Sequence, residues 1–202
     1  MARNMEQNEK IREERKKQIR SAALRLFATK GLFVTKIKDI AEEVGMAQGL
    51  IYHYYKSKED IYAELIKDAL DKLNEAVFGL KKMPLPPHVK IRTALEELLH
   101  VIENREDFIQ TCRLIAQASN STEIPENAKK FIEEMRDIPY QEIAGIMEDG
   151  QKEGTIIEAD PRELALIFWT LINGLAMYKA SRSNSVKMPD ARLLINIFLK
   201  GE

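Results

Sequence analysis

The stretch TKIKDIAEEVGMAQGLIYHYYKSK, residues 35–58, decides how the rest of the chain is read. Ile37, Ile40, Ala41 and Val44 recur at helical spacing behind Thr35, whose hydroxyl is of the kind that caps the free amides of a helix start. Gly45 stands where a helix ends in the left-handed conformation, and about three residues separate it from a second helical run, Gln48–Tyr55. Two short helices joined by a tight turn make a helix-turn-helix. In such a unit the second helix enters the major groove of DNA and its N-terminal residues meet base edges. Gln48, Gly49, Tyr52 and His53 are therefore the first candidate readers, and the Gln48 amide can pair bidentately with adenine. Gly49 costs a helix roughly 1 kcal/mol against alanine, which fits either a close approach to DNA or tight packing on a neighbouring helix. Tyr52 lies four residues beyond Gln48 and His53 four beyond Gly49, so their polar tips share the groove side. Ile51 and Tyr55 pair on the core side, while Lys36, Lys38, Lys56 and Lys58 surround the unit with positive charge.

The run T-K-I-x-D-I-A-x-x-V-G-x-A-x-G-L-I-Y-H-Y-Y-K-S-K-E-D-I resembles the N-terminal DNA-binding domain of the tetracycline-repressor (TetR) family, over about fifty residues from Ile19 to Leu65. It carries that family's tyrosine–aromatic pair, the lysine two residues after the recognition helix and the acidic start of the next helix. The resemblance implies that Thr35, Lys38, Gln48, Gly49, Tyr52, His53 and Lys58 occupy positions that touch DNA in relatives. With their neighbours Lys36, Ala47 and Tyr54 they form the expected DNA-contacting set. Ala47 departs from the family pattern, which usually places serine or a similar cap there, and so removes a cap and a phosphate contact.

Composition supports a regulator of this kind and argues against other classes. The 202 residues, 45% hydrophobic and 31% charged, suit a folded globular chain. The net charge of −1 is unevenly shared: residues 1–60 carry 13 Lys/Arg against 9 Asp/Glu, leaving +4 at this end and −5 on residues 61–202. A basic head on an acidic body fits DNA at one end. No apolar run approaches the ~18 residues needed to cross a membrane and the N-terminus has no signal-like segment, so the expected place is the cytoplasm. Cys112, the single cysteine, sits among apolar residues and reads as a buried inert thiol rather than a redox sensor. His53, His88 and His100 have no metal-ligand spacing, and neither a metal nor a cofactor is expected. No phosphate loop, zinc motif or nucleophile elbow points to an enzyme.

Helical periodicity covers the remainder. Residues 1–10 are polar and are expected to be frayed, and beyond them Ile19, Ala22, Ala23, Leu26 and Phe27 make one apolar stripe. Ser57 with Asp60 opens a long helix to about Leu80, which runs from the DNA unit into the body. Prolines 84, 86 and 87 end it. Further helices are expected from Val89 to Asn104, from Phe108 to Ala118 and from Pro125, with Pro139 breaking the last before the pattern resumes at Ile143. Asp160-Pro161 opens a helix apolar on most sides, and Pro189 begins a final amphipathic one.

The expected fold is all-α, with a three-helix helix-turn-helix domain over residues 1–57 and a helical ligand-binding and dimerisation domain over 58–202. A helix apolar all round must be buried all round, and the natural cover is a second copy of the chain, as the resemblance also implies. Phe108, Cys112, Trp169, Asn173 and Met177 are the candidate pocket residues, because soft or aromatic side chains stand beside a lone amide on apolar helices. Plain core packing is the alternative for each. The expected partners are a palindromic operator in double-stranded DNA, a second copy and a small apolar ligand. A ligand-free architectural DNA binder would use the same head, and a filled body would favour it.

Overall fold

The computed structural model describes residues 2–182 and 186–201, and these form ten α-helices. They are α1 Ala2–Lys30, α2 Ile37–Glu43, α3 Gln48–Ile51, α4 Lys58–Lys82, α5 Pro87–Asn104, α6 Glu106–Ser119, α7 Glu126–Met135, α8 Ile138–Lys152, α9 Pro161–Ser181 and α10 Ala191–Phe198. The ends follow local chemistry. Gly45, with φ of 67°, makes the turn between α2 and α3 in a backbone region that side chains disfavour. The Ser57 hydroxyl accepts from the Asp60 amide at 3.1 Å to open α4, and Asp160 accepts from the Arg162 amide at 2.8 Å to open α9. Pro139 lies in the first turn of α8, where a missing N–H costs nothing, and so separates α8 from α7.

Three expectations are corrected. The helix α1 reaches back to Ala2, so residues 2–10 are helical rather than frayed; Met1 lies outside the described residues. Apart from Asn4 and Asn8 this start is made of Ala, Arg, Met, Glu, Gln and Lys, good helix formers that extend a helix already nucleated by its packed half. The second helix of the helix-turn-helix stops at Ile51 instead of reaching Tyr55. Its cap residue, Ala47, offers no side-chain bond, and the amides of His53 and Tyr54 turn to the carbonyls of Leu50 and Ile51 in a tighter, three-residue pattern. Finally, α9 is long and apolar enough to cross a membrane by length and composition, contrary to the expectation that no run approaches that length. It packs instead against α8, α6 and α5, although only 39% of its most apolar stretch is buried within the chain.

Two cores divide the molecule. One joins α1 to α3 and the first half of α4, as far as Leu70, with Leu114, Ala118, Ile124, Ala128 and Ile132 from α6, α7 and the turn between them. The other begins at Val77 and gathers the far end of α4 with α5, α8, α9 and α10. The packing thus splits within α4, later than the 57/58 boundary suggested by the sequence. The helix α6 also belongs to both, and pairs extensively with α1 as well as with α9.

Gly150 is a tight point of the second core. A Cβ there would overlap Ile156 Cδ1 and lie 2.7 Å from Ile156 Cγ1 and 3.2 Å from Pro87 Cβ. Gly150→Ala is expected to destabilise the chain by about 1–3 kcal/mol of overpacking, partly offset by the roughly 1 kcal/mol that alanine gains in a helix. A urea midpoint equal to the wild type's would show that Ile156 swings aside freely.

Candidate nucleic-acid interface and body cavity

The short helix α3 is held from behind. Ile51 and Tyr55 are buried in the first core, as their spacing indicates, and the Tyr55 hydroxyl donates to Glu64 of α4 at 3.2 Å. Glu64 also pairs with Arg20 of α1. Burial and this carboxylate drive the Tyr55 phenol well above its ordinary value, so it remains a neutral donor. The opposite side of the unit is open. Ala47, Gln48, Gly49, Tyr52 and His53 are exposed there together, beside the exposed Lys36, Lys38 and Lys56, while Tyr54 is half-buried against the first core. Lys38 pairs with Glu42 at 3.6 Å, an exposed one-turn ion pair that a phosphate could displace at small cost. A shallow groove runs between Lys36 and Lys38 on one side and Gln48, Tyr52, Lys56 and Lys58 on the other.

Of the two readings of Gly49, one falls. A Cβ built there meets no atom of the chain within 4 Å, so tight packing inside the chain is not its reason. Thr35 does not cap α2. It is fully buried, and its hydroxyl donates back to Gly31 O at 2.8 Å, which fixes the α1–α2 turn and leaves the side chain no reach to the outside. The start of α2 is capped from within the helix, Asp39 accepting from the Lys36 amide at 2.9 Å. Lys58 differs as well from a free phosphate contact. Its ammonium donates to Leu32 O at 2.8 Å, Phe33 O at 3.1 Å and Thr35 O at 2.8 Å, which uses all three of its hydrogens.

In the body, Phe108 and Cys112 of α6 and Trp169, Asn173 and Met177 of α9 all line one cleft of about 460 Å³. Leu70 and Leu73 of α4 close one wall, Ile115 and Ala116 continue the α6 wall, and Pro139 and Tyr140 come from the start of α8. Trp169 is fixed by its indole N–H, which donates to Pro139 O at 3.1 Å, and by an edge contact with Phe168 at 5.1 Å between ring centres. Burial pushes the Cys112 thiol up to about 12, so it stands in the wall as a neutral, weakly polar group. Arg136, Asp137 and the exposed Asn173 bring polar atoms to the cleft, whose lining is otherwise largely apolar. Among the described residues no cluster of three or more His, Cys, Asp or Glu could hold a metal ion.

The profile of "Bacterial regulatory proteins, tetR family" matches residues 19–65, the segment that builds α1 to α3 and the start of α4. Over 155 residues the chain is 27% identical to the HTH-type transcriptional repressor KstR2 of Rhodococcus jostii (strain RHA1), covering 76% of this chain and 74% of that protein. Residues 19–65 are a DNA-binding domain of the tetR family. Solved structures extend the likeness of fold to the whole body of the chain. The ketosteroid transcriptional regulator KstR2 of Mycobacterium tuberculosis superposes with a TM-score of 0.75 at 18% identity, over 93% of this chain and 96% of that one. AibR, solved in complex with isovaleryl coenzyme A and operator DNA, gives 0.74 at 16% identity, over 91% and 97%.

With that domain at its head the chain is a DNA-binding transcriptional regulator and not an enzyme. In its head Gln48, Gly49, Tyr52 and His53 are all exposed, the last two beyond the end of α3. Sequence reasoning missed the α4 wall of the cleft and Tyr140. Leu70 and Leu73 carry no signal beyond helical periodicity, and Tyr140 follows a proline that reads only as a break.

Proposed function

We propose that this tetR-family regulator is a homodimer that holds a palindromic operator through its two heads and releases it when a small, largely apolar molecule enters the body cleft. The observation that carries this reading is the position of the cleft. Leu70 of its wall belongs to the first core and Trp169 and Ile172 to the second, so an occupant touches both bodies at their seam. A molecule that fits one relative position of the two cores better than another shifts the population between them, and α4 and α6 carry the shift to the head. Gln117 of α6 adds a direct tie, donating to Ala28 O near the end of α1 at 3.3 Å. A ligand-free architectural role gives such a cleft no task. The named ligand of AibR, an acyl coenzyme A, supports an occupant with an apolar part, and a cytoplasmic location accords with this reading.

The dimer reading rests on α9 and α10. Leu166, Thr170, Gly174 and Tyr178 recur every fourth residue on the exposed side of α9, and Leu193 and Ile197 do the same on α10. A Cβ at Gly174 would meet nothing within 4 Å, which leaves room there for a partner helix to approach closely.

The cleft provides its own reporter, because Trp169 is the only tryptophan of the chain. Titration with a panel of fatty acids, acyl coenzyme A thioesters and sterols is expected to change Trp169 emission at the concentration that releases DNA. Ala116→Phe, which narrows the α6 wall, is expected to abolish both responses and to leave DNA binding intact. A compound that releases DNA equally well from Ala116→Phe, with Trp169 emission unmoved, would place the effector site elsewhere.

A further inference from the structure

We propose that Lys58 is a positioning residue rather than a phosphate contact: it pins the α1–α2 turn to the first turn of α4, so that the reading head moves with α4 as one body. The proposal rests on the DNA-binding reading of the head and assigns one of its residues a different task. An ammonium has three hydrogens, and three backbone carbonyls take them, at 2.8, 3.1 and 2.8 Å from Leu32, Phe33 and Thr35. These carbonyls follow the end of α1 at Lys30, where the helix leaves unsatisfied acceptors and partial negative charge, so a cation is well placed there. A phosphate on the outside would have to take a hydrogen from one of them.

The same turn is held from its other side by the Thr35 hydroxyl on Gly31 O at 2.8 Å. Between these ties lies the cap of α2, Lys36, and then the helix that leads to α3. Lys58 is itself the first residue of α4, behind the Ser57 cap. The link therefore joins the long helix that touches the body cleft to the entry of the helix-turn-helix. Breaking it leaves the buried contacts of the head in place but loosens its angle to α4. In a dimer that angle sets the separation of the two recognition helices, on which binding to a spaced palindrome depends and binding to random DNA does not.

Charge and geometry can be separated. Lys58→Arg keeps the positive charge, but a planar guanidinium cannot converge three donors on three carbonyls as an ammonium does. Lys58→Met keeps the apolar stem and removes every donor. Affinity would be measured against the palindrome that the wild type enriches from a random duplex pool and against a scrambled duplex, each from low to high salt. Both variants are expected to lose about tenfold on the palindrome, the worth of one charge-assisted hydrogen bond, with little change on the scrambled duplex and an unchanged salt slope. Equal loss on both duplexes from Lys58→Met, with the slope of log K against log salt reduced by about 1 and recovery in Lys58→Arg, would establish a phosphate contact and overturn the pin. Amide exchange of residues 31–36 in the DNA-free protein gives a second readout: it is expected to quicken in both variants, and protection equal to the wild type's overturns the pin. A wild type that enriches no duplex while the exchange result holds would sink the DNA reading of the head and leave the pin standing.

Discussion

Leu193→Glu is expected to separate the two copies and to weaken operator binding by about 10²–10⁴-fold, the gain that joining two heads on one site supplies. Leu193 is 64% exposed within the chain, on the same side of α10 as Ile197 at 41%. In a two-fold interface every substitution enters twice, so one change places two carboxylates in the shared apolar patch. Burying them unpaired costs more than a lost leucine, and the dimer has no easy repair. Sedimentation at micromolar concentration should return two chains for the wild type and one for Leu193→Glu, with head stability unchanged. A wild type that sediments as a single chain removes the dimer and, with it, the palindrome. A variant that still sediments as two chains moves the interface off α10.

Gln48→Ala is the second large effect, and it falls on choice rather than on strength. Gln48 is exposed at the first position of α3, behind a cap residue with no polar side chain to share its role. Its amide is the one group at that point able to pair bidentately with a base edge. The substitution is expected to cost about 1–3 kcal/mol on the preferred site and to relax one symmetric pair of positions, while affinity for random DNA stays almost unchanged. Enrichment of the same palindrome at the same stringency by both proteins would move the base reading elsewhere, with the exposed His53 next to test.

The parts of this molecule that were legible in its sequence share a property: each depends on residues within two helical turns of one another. The spacing of Ile51 and Tyr55 was enough to place them inside and Gln48, Tyr52 and His53 outside. Asp160-Pro161 was enough to start α9. Phe108 and Cys112, and Trp169, Asn173 and Met177, could each be set on one side of a helix, and the fold brings the two sides together around one cleft. What stayed hidden needs partners far away in the chain. Lys58 reads as an exposed cation until the carbonyls of Leu32, Phe33 and Thr35 are placed around it, 23 to 26 residues earlier. Thr35 is an exception: its partner, Gly31 O, is only four residues back, but threonine before an apolar period usually caps, and the residue pattern does not show that the turn after α1 aims the hydroxyl inward. The length of α3 was misread for another reason. Four helix-compatible residues after Ile51 do not reveal that the amides of His53 and Tyr54 close three-residue turns instead.

The division of the cores inside α4 bears on how such proteins can be recombined. A head cut at residue 57 would leave behind Ile61, Tyr62, Leu65, Ile66 and Leu70, along with the patch that α6 and α7 press onto it. The DNA-reading part of this chain is therefore not a detachable module. Exchanging operator preference with a relative is a matter of transplanting the outer face of α2 and α3 onto an unchanged interior, because a junction anywhere in the first half of α4 runs through a packed core and severs it from the helices that complete it.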